Sequence, residues 1–458
     1  MPSYSIVQKS QLEGAKRLDA EYYQPEYLQI RDLVSKRNLN AKSLAGLISR
    51  QVVTGSTPKI REPKGDDTDI YFIKTDTVRD GQVVFEEADR LPAKQNIQNS
   101  APKGGDVLVT IIGATFDIVG RSAMVFPHYP KMNINQNVAL IRPAEQILPG
   151  YLEAFLRGKY GREQLWQQSR QTEQVNLNCR EIENILVPVP VLTFQREVEK
   201  LVQESHDCIS QSVVIYNTAE SLLLEELGLK DFKADEDIYS VVNFSDIRVA
   251  NRIDAEYYQP KYGKLESKIK KYEHKPLEKV LENIPAKFDP MKQPDKSFKY
   301  VELSNINATT GIIDGFSEAL GKETPSRAKR ILKEKDVIVS SVEGSLGKIA
   351  LVHKDQKDFL ASTGFFQFRS KEVLPEVLLV LAKSVVFQWQ LEKRCAGTIL
   401  TAVPKESIND ILIPILPKTT QQKIAELVQK SHESRKKAKE LLEEAKHKVE
   451  ELIESKSN

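Results

Sequence analysis

The stretch RLDAEYYQPEY (residues 17–27) occurs again as RIDAEYYQPKY (residues 252–262), 235 residues later. Immediately upstream, YSIVQKS from Tyr4 aligns with YSVVNFS from Tyr239 at the same offset. Two long matches that share one offset indicate that the chain of 458 residues contains an internal repeat.

The repeat extends through the whole chain with a slowly falling offset. KGGDVLVT (residues 103–110) aligns with KEKDVIVS (residues 333–340) at an offset of 230. NILVPVPVLTFQREVEKLVQESH (residues 184–206) aligns with DILIPILPKTTQQKIAELVQKSH (residues 410–432) at an offset of 226. Short loop deletions in the second copy account for the drift. The chain is therefore a tandem duplication of about half its length.

Both halves have the same order of predicted elements. Short β-branched runs such as DVLVTII and GFFQFRS, separated by Gly, Pro, Asn and Asp, predict a compact domain with a small mixed sheet. A long helix follows each domain, so the predicted fold class is α/β (α+β), with two pseudo-symmetric domains joined by two long antiparallel coiled-coil helices. The expected limits are 1–192 for the first domain, 193–230 for the first long helix, 231–418 for the second domain and 419–458 for the second long helix.

The two long helices carry the sequence pattern of a helix pair. Each helix runs for about 35 residues, or about 50 Å, and apolar or small residues recur along it with 3–4 spacing. The predicted contact positions are Val198, Val202, Ser205, Ile209, Ser212, Tyr216, Ala219 and Leu223 in the first helix, and Ile424, Leu427, Ser431, Ser434, Ala438, Leu441, Ala445, Val449 and Leu452 in the second. The alternative is that each helix only covers its own domain. Around a pseudo-twofold axis the pair would form an antiparallel rod with a similar domain at each end.

Each copy of the repeated phrase predicts a packing element. Pro25 and Pro260 are placed to begin short helices, and the neighbouring tyrosines offer large amphipathic side chains. We expect each phrase to dock near a helix end and to fix its domain to the rod. Direct contact of the phrase with a partner is the alternative.

Taken together, these segments resemble the DNA-specificity (S) subunit of type I restriction-modification systems. The resemblance rests on the duplicated LDAEYYQP phrase, on GDVLVT…GR and KDVIVSSVEGSLGK, and on the PVPVLTFQ and PILPKTTQQ segments that precede the long helices. It implies two target-recognition domains that each read one half of a bipartite, asymmetric site in double-stranded DNA, while the helices set the gap. It also implies two methylation (M) subunits and, as further partners, restriction (R) subunits.

We expect no catalytic, cofactor or metal site in this chain. Neither NPPF nor NPPY, which a methyltransferase would need, occurs in the sequence. EGSLGKI (residues 343–349) lacks the phosphate-binding pattern because Val342 replaces Gly and Ile349 replaces Ser or Thr. A turn between strands, eased by Gly120 in one copy and Gly347 in the other, is the better interpretation. S-adenosylmethionine is then expected on the partner methylation subunit, as the resemblance implies.

The histidines and cysteines fit structural positions. The six histidines show no metal-ligand spacing, and His206 and His432, at equivalent positions of the two long helices, are expected on exposed faces. The three cysteines form no CxxC pair and are expected to be small buried or half-buried residues. No apolar run approaches the length of a membrane span, and the segment after Met1 does not resemble a signal peptide, so a cytoplasmic protein is expected.

The charge balance predicts weak DNA affinity for the chain alone. The formal net charge is +2, and neither predicted domain has a large excess of Lys and Arg over Asp and Glu. Phosphate contacts supply most non-specific affinity for DNA. Binding of DNA by the isolated chain should therefore be weak and sensitive to salt. The methylation subunits would supply the remaining contacts with DNA.

Polar loops between the predicted strands supply the candidate DNA contacts. Hydroxyl, amide and cationic side chains can bind phosphates or base edges. In the first copy the candidates are Gly55, Ser56, Thr57, Lys59, Arg61, Thr115, Arg121, Asn135, Gln136, Arg170 and Thr172. In the second copy they are Ser341, Glu343, Ser345, Lys348, Ser362, Thr363 and Thr398. Ordinary solvated turns are the alternative interpretation of these loops, which differ between the copies more than the rest of the sequence does.

Two other functional classes remain open at this point. The chain could serve a different DNA-modifying machine, which the genes beside it would reveal. It could also be a duplicated adaptor that binds protein with two heads spaced by a coiled coil. Loops that differ on matching scaffolds argue against the adaptor.

Overall fold

The structure is a computed structural model that describes residues 4–10, 12, 17–36, 39–58, 69–79, 81–170, 175–233, 239–397 and 401–455. The chain divides into two units, one of residues 1–208 with 436–458 and the other of residues 209–435. Each unit therefore holds one copy of the repeat and a part of each long helix. Across the described ranges, no helix has the length and apolar character needed to cross a membrane.

The first copy of the repeat contains five α-helices and thirteen short strands in its described residues. The helices are α1 (Pro25–Val34), α2 (Pro149–Arg157), α3 (Lys159–Gln168), α4 (Cys179–Glu183) and the long α5 (Leu192–Glu226). The strands are β1 (Lys42–Ser43), β2 (Val53–Thr54), β3 (Ile70–Ile73), β4 (Val78–Arg79), β5 (Gln82–Val83), β6 (Asp89–Leu91), β7 (Val107–Thr110), β8 (Ile112–Gly113), β9 (Ser122–Met124), β10 (Met132–Ile134), β11 (Val138–Ile141), β12 (Val175–Asn176) and β13 (Leu186–Val187). Short 3-10 helices lie at Ala20–Tyr23, Leu44–Leu47, Thr75–Thr77, Phe85–Glu87, Ala93–Gln95 and Gln98–Ser100.

The second copy repeats most of this order. Its helices are α6 (Phe244–Ala250), α7 (Pro260–Ile269), α8 (Leu277–Val280), α9 (Pro375–Lys383), α10 (Val385–Arg394) and the long α11 (Lys418–Glu454). Its strands are β14 (His274–Pro276), β15 (Leu281–Asn283), β16 (Ser297–Val301), β17 (Ile306–Asn307), β18 (Ile312–Ile313), β19 (Ser317–Leu320), β20 (Ala328–Ile331), β21 (Val337–Ser340), β22 (Ile349–Leu351), β23 (Leu360–Ser362), β24 (Phe365–Ser370) and β25 (Leu412–Pro414). Its 3-10 helices are Ala255–Tyr258, Pro290–Lys292, Leu303–Asn305, Gly321–Glu323, Lys354–Gln356 and Lys405–Ile408.

A four-stranded antiparallel sheet forms the centre of the first unit. Its strand order is β2-β11-β7-β9, and every residue of β7, β9 and β11 is buried. Such continuous apolar strands are expected where both faces of a sheet are covered. A smaller sheet has the order β10-β3-β6 and pairs β10 with β3 in parallel. Helix α2 contacts β9 and β7, so helix and sheet share one core.

The second unit is built in the same way. Its antiparallel sheet has the order β15-β24-β21-β22, and its mixed sheet has the order β19-β16-β23-β20, with β16 and β23 parallel. A separate two-stranded pair, β1 with β13 in the first copy and β14 with β25 in the second, precedes each long helix. The predicted α/β (α+β) class with small mixed sheets is confirmed.

Buried polar contacts of the scaffold occur twice. In the first unit, the Gln164 side chain accepts from the Leu186 N–H at 2.8 Å and donates to the Leu186 carbonyl at 2.9 Å. Gln390 makes the same pair of bonds with Leu412, at 2.8 and 3.0 Å. Leaving such a group unpaired in a core costs roughly 1–3 kcal/mol. The duplicated contacts therefore hold helices α3 and α10 in place over equivalent strands.

The long helices approach each other through serines. In the first unit the Ser205 hydroxyl donates to the Ala438 carbonyl at 2.8 Å, and Lys448 lies 3.8 Å from Glu197. In the second unit the Ser431 hydroxyl donates to the Ser212 carbonyl at 2.8 Å. Residues early in α5 lie opposite residues late in α11, so the helix segments within each unit run antiparallel. The predicted helix pair is confirmed, and side chains of both helices also enter the core of each unit.

The predicted contact stripe is right for α5 and partly wrong for α11. All eight predicted positions of α5 are buried. In α11 the stripe passes through Val428, Leu442 and Ile453, while the predicted Leu427, Leu441 and Leu452 are only half-buried. At each of the three positions, the predicted residue and the buried residue are apolar neighbours in the sequence. Spacing alone did not identify the member of each pair that faces the core.

The repeated phrase caps a helix of its own domain. Tyr22 and Tyr23 are buried, and the Arg17 guanidinium donates to the carbonyls of Gln168 and Ser169 at 3.0 and 3.2 Å, at the end of α3. In the second copy Arg252 donates to the carbonyl that follows α10, that of Cys395, at 3.0 Å. The prediction of docking at a helix end is confirmed. The helix is the short α3 or α10, where a long helix was expected.

His206 and His432 are buried, so the prediction that they are exposed is wrong. They are only 7% and 5% exposed. His206 Nε2 lies 2.9 Å from His128 Nε2, and His432 Nδ1 lies 2.9 Å from His353 Nε2. Each pair joins a long helix to the domain of its own unit. The helix pattern could not reveal that the domain covers this side of the helix.

These buried histidines predict that the fold is sensitive to acid. Burial, with the neighbouring histidine as the second cause, lowers the pKa of His206 and of His432 to about 4, from an ordinary value of 6.5. The unfolded chain then binds more protons than the folded chain below pH 6.5. Stability should be complete above that pH and fall as the pH drops toward 4, by at most about 1.4 kcal/mol per pH unit for each histidine.

Urea unfolding of the full chain between pH 7 and 5 measures this effect. The double substitution His206→Asn with His432→Asn should flatten the pH dependence. The control is His447→Asn, since the His447 side chain is 64% exposed and its loss should leave the dependence unchanged. The same slope in the double variant and in the unaltered chain would contradict the assignment.

Candidate nucleic-acid interface

Several predicted loops of the first unit leave the four-stranded sheet at the same end. Strand β2 ends at Thr54, opposite Ala139, and β7 ends at Thr110, opposite Val138, where β11 begins. Strand β9 begins at Ser122, opposite Val109. Because neighbouring strands are antiparallel, the loops 55–58, 111–121 and 135–137 emerge side by side.

Hydrogen bonds join these loops to one another. The Gly55 N–H donates to the Asn135 carbonyl at 3.1 Å, and the Thr57 hydroxyl donates to Gln136 Oε1 at 2.6 Å. The Ile111 N–H donates to the Asn137 carbonyl at 3.0 Å. The structure therefore brings together three groups of candidates that lie up to about eighty residues apart in the sequence.

The segment around Arg170 joins the same surface. Strand β12 pairs with β8, so that Val175 lies opposite Gly113, and the Leu177 N–H donates to the Ile111 carbonyl at 2.9 Å. The side chain of Arg170 is 69% exposed and lies 3.4 Å from Glu181. Glu181 is only 11% exposed and also lies 3.7 Å from Arg17, so it keeps a cationic partner when the exposed Arg170 guanidinium turns to a phosphate.

The second unit repeats the arrangement with other residues. Strand β21 ends at Ser340, opposite Phe365, and the Ser341 N–H donates to the Gly364 carbonyl at 2.9 Å. The Val403 N–H donates to the Ser341 carbonyl at 2.8 Å. The loops 341–348 and 362–364 therefore share one end of the sheet with the segment 401–403. We call this end of each sheet the loop end.

Some candidates serve the loop structure itself. A Cβ on Gly55 would lie 1.6 Å from the Ile134 carbonyl oxygen, so this glycine is needed for close approach to its own chain. Asn135 is 8% exposed, and its Oδ1 accepts from the Asn137 N–H at 3.0 Å. In the second unit the Ser345 hydroxyl bonds to Ser340 Oγ and to the Val342 carbonyl, and the buried Ser362 Oγ accepts from the Gly364 N–H. These contacts shape turns.

Other candidates face solvent at the loop end. The exposed ones are Ser56, Thr57, Thr115, Gln136, Arg170 and Glu343, and the half-buried ones are Arg121, Ser341, Lys348 and Thr363. Arg121 Nε donates to the Asp117 carbonyl at 2.6 Å, and Lys348 Nζ donates to the Ile306 carbonyl at 3.2 Å. Lys59, Arg61, Thr172 and Thr398 lie outside the described residues.

The turn between β7 and β9 was predicted with the wrong glycine in one copy. Gly120 has a φ of +82°, as the turn interpretation requires. In the second copy the positive φ of +76° belongs to Gly344, where Gly347 was expected. The two turns differ in length, and the glycine with the left-handed backbone lies at a different place in each.

Three exposed cations at the second loop end were missed. Lys287 lies in the loop after β15, while Arg327 and Lys329 lie at the start of β20. The Thr363 N–H donates to the Arg327 carbonyl at 2.8 Å, which puts this arginine beside a candidate. The basic run SRAKR (residues 326–330) was the available signal. A strand pairing between distant segments was needed to locate it.

The opposite end of each sheet is nearly the same in both copies. Asp106, which precedes β7, pairs in bidentate geometry with Arg142, at 2.7 Å for both bonds. Asp336 and Arg369 form the equivalent pair at 2.9 and 3.1 Å. The loop end, in contrast, presents the exposed Gln136 in one unit and the half-buried Thr363 in the other. The copies thus share a scaffold and differ where their side chains face solvent.

The arrangement offers hydroxyl, amide and cationic groups and no cluster suited to metal chemistry. Among the residues that the structure describes, no three His, Cys, Asp or Glu side chains are grouped so that they could hold a metal ion. Hydroxyl, amide and cationic side chains form hydrogen bonds with phosphates and base edges. Each unit therefore has one such surface, and the two surfaces are built on equivalent sheets.

The model of the type I restriction modification DNA specificity domain matches residues 270–446. This range holds the second antiparallel sheet, its loop end and most of α11. This range is therefore similar to the DNA specificity domain. The duplicated sheets, glutamine contacts and Asp–Arg pairs give the first copy the same scaffold as the matched range.

Two relatives are similar to parts of this chain. The specificity subunit of the type I restriction enzyme EcoBI from Escherichia coli is 29% identical over 145 residues, which are 31% of this chain and 30% of that protein. The HindI specificity subunit from Haemophilus influenzae is 26% identical over 140 residues, 29% of this chain and 27% of that protein. The chain therefore aligns with less than a third of the length of these relatives.

Two solved structures are similar to this chain. The S subunit of a type I restriction-modification system from M. genitalium is 13% identical, with a TM-score of 0.42, over 92% of this chain and 98% of that one. The HsdS subunit from Thermoanaerobacter tengcongensis is 14% identical, with a TM-score of 0.30, over 90% and 96% of the two chains.

Because Gly55 lies so close to the Ile134 carbonyl, Gly55→Ala should destabilise the loop end of the first unit. The added methyl group would meet the Ile134 carbonyl, and relief of that clash must shift β2 or β10. We expect a loss of roughly 1–3 kcal/mol in the free energy of unfolding. Gly46→Ala is the matched control, because its Cβ would meet only Ser43 Oγ, at 4.0 Å. Equal melting temperatures of the two variants would contradict this role of Gly55.

Proposed function

We propose that this chain is the DNA sequence-specificity subunit of a type I restriction-modification complex. Each unit reads one half of a bipartite, asymmetric site in double-stranded DNA, and the two long helices set the gap between the halves. The chain does no chemistry itself. Methyl transfer belongs to two methylation subunits that bind S-adenosylmethionine, and restriction subunits are further partners of the complex in the cytoplasm.

One observation carries this proposal. In both units, equivalent strands place their connecting loops at one end of the sheet. The side chains exposed at that end differ between the copies. A protein that bound two copies of one ligand would present the same side chains twice. Two different sets on one scaffold fit two different half-sites, as an asymmetric DNA site requires.

The chemistry of the loop ends supports base recognition over a purely electrostatic grip. Gln136 has the amide geometry that matches adenine, and the serine and threonine hydroxyls can bond to several bases. Of the cations at the loop ends, Arg121 and Lys348 each donate to a backbone carbonyl, while Lys287, Arg327 and Lys329 are exposed. Phosphate contacts therefore position the chain, while the polar side chains distinguish the sequence.

Mapping of methylated adenines in the host genome tests the proposal. Removal of the chain should abolish methylation at one motif made of two short specific parts around a fixed gap, and the chain should co-purify with a methylation subunit. Gln136→Ala should weaken or relax one part of that motif. The control is Glu145→Ala, because Glu145 is exposed just beyond β11 at the opposite end of the sheet. An unchanged methylome and the absence of any co-purifying methylation subunit would exclude the proposal.

The isolated chain should bind duplex DNA weakly and with strong salt dependence. Its net charge of +2 leaves few cations to replace the counterions of DNA. We expect affinity for random duplex to fall steeply between low and physiological salt, as measured by fluorescence anisotropy. The complex with methylation subunits should bind more tightly. Tight binding of random duplex by the chain alone at physiological salt would be the opposite result.

A further inference from the structure

The loop 111–121 of the first unit is a wide turn that rests on helix α3. Within it the Thr115 carbonyl accepts from the N–H groups of Ile118 and Val119 at 3.1 and 3.2 Å. Beyond Gly120 the chain returns to the sheet through the bond from the Gly120 N–H to the Thr110 carbonyl, at 2.7 Å. Arg121 is held by the turn and the sheet themselves, because its N–H donates to Thr110 Oγ1 at 3.0 Å, its carbonyl accepts from the Thr110 N–H at 2.9 Å and its Nε donates to the Asp117 carbonyl at 2.6 Å. The tip of the turn, at Thr115 and Phe116, is also held by contacts from outside the turn.

Arg162 of α3 supplies the main contact. Its guanidinium donates to the Phe116 carbonyl and lies 4.8 Å from the centre of the Phe116 ring. The Phe116 ring also packs edge-on against Trp166, with ring centres 5.4 Å apart. A Cβ on Gly120 would lie 3.2 Å from Arg162 Nη1, so the second limb of the turn also lies against this guanidinium. Arg162 and Trp166 thus form a platform beneath the turn.

The second unit also holds its turn through a side chain of the equivalent helix. The repeat aligns Arg162 with Gln388 at an offset of 226. The Gln388 side-chain amide donates to the Leu346 carbonyl at 3.4 Å and to the Ala382 carbonyl at 2.7 Å. Helices α3 and α10 therefore each support the turn of their own unit from the same helix position. The carbonyls differ, because Leu346 aligns with Val119 at an offset of 227, and Glu392 stands where the first copy has Trp166.

The charge of Arg162 adds a second effect. Burial lowers the pKa of its guanidinium to about 10, so the group remains a cation at neutral pH. Gln388 is neutral. The first turn is therefore held by a charge-assisted hydrogen bond and an aromatic contact, which are stronger than the amide contact of the second turn.

We infer that Arg162 is a positioning residue for DNA recognition by the first unit. It holds the tip of the turn 111–121 so that Thr115 meets the base edges of one half-site in a fixed geometry. Gln388 does the same for the turn 341–348 and the other half-site. This inference rests on the proposed function, and it names residues that act through the reading loops without touching DNA.

The test uses the chain in complex with its methylation partner and the DNA motif found by genome mapping. Binding is measured for the motif, for duplexes with single base changes in either half, and for random duplex. Arg162→Gln places the residue of the second copy in the first. We expect it to lower discrimination in one half-site by about tenfold, while the other half-site stays unchanged. Gln388→Ala is the matched control and should affect only the opposite half-site.

A second variant guards against simple misfolding. Phe116→Leu removes the ring contact with Trp166 and keeps Arg162, so it should lower discrimination in the same half-site by a smaller factor. Melting temperatures of all variants should stay close to that of the unaltered chain. A positioning role leaves the salt dependence for random duplex unchanged, whereas loss of a phosphate contact would weaken all sequences alike and reduce that dependence.

The outcomes separate the inference from the proposed function. If the unaltered complex shows no half-site discrimination, the proposed function fails and the inference fails with it. If the unaltered complex discriminates and Arg162→Gln does so equally well, only the inference is overturned. A uniform loss of affinity with a smaller salt dependence also overturns it, since Arg162 would then be a phosphate contact.

Discussion

The antiparallel register of the four-stranded sheet in each unit is the constraint on which the rest of the structure depends. It is held at one end by the Asp106–Arg142 pair in the first unit and by Asp336–Arg369 in the second. Removal of one partner would leave a nearly buried charge alone, at a cost of roughly 3–5 kcal/mol. A shift of one residue would also turn the buried faces of the strands outward. With this register set, the loops at the other end can lie only side by side.

If the chain reads an asymmetric site as proposed, this division into a rigid end and a loop end explains how two copies of one fold can do so. The repeated glutamine, serine and ion-pair contacts leave helices and strands in equivalent places in both units. The loop side chains are attached to these supports without being part of them. Substitutions there change what is recognised and leave the core intact, so the two copies could diverge in specificity while they remained the same fold. The long helices take part in both cores, and each domain is thereby joined to the element that spaces it.

Much of this could be predicted from the sequence, for identifiable reasons. The repeat followed from matching segments of the sequence. The long helices followed from the spacing of apolar residues, which fits a period of 3.6 residues. The strands of each domain followed from β-branched runs. The errors share one cause. The burial of His206 and His432, the choice of Val428 over Leu427, the positive φ of Gly344 and the docking of Arg17 on α3 all depend on a neighbour that is distant in sequence.

What the sequence by itself determined is the duplication, the order of elements in each half and the chemical character of the loops, because these are local or repeated properties. Only the tertiary structure decided which loops meet, which candidates are exposed and which are committed to a turn. Strand pairing brings residues 55, 111, 136 and 175 to one end of a sheet, and no local pattern encodes that pairing. The same pairing places Arg162 beneath a turn that lies more than forty residues before it. A recognition surface assembled from several strand ends becomes visible only when the register is known.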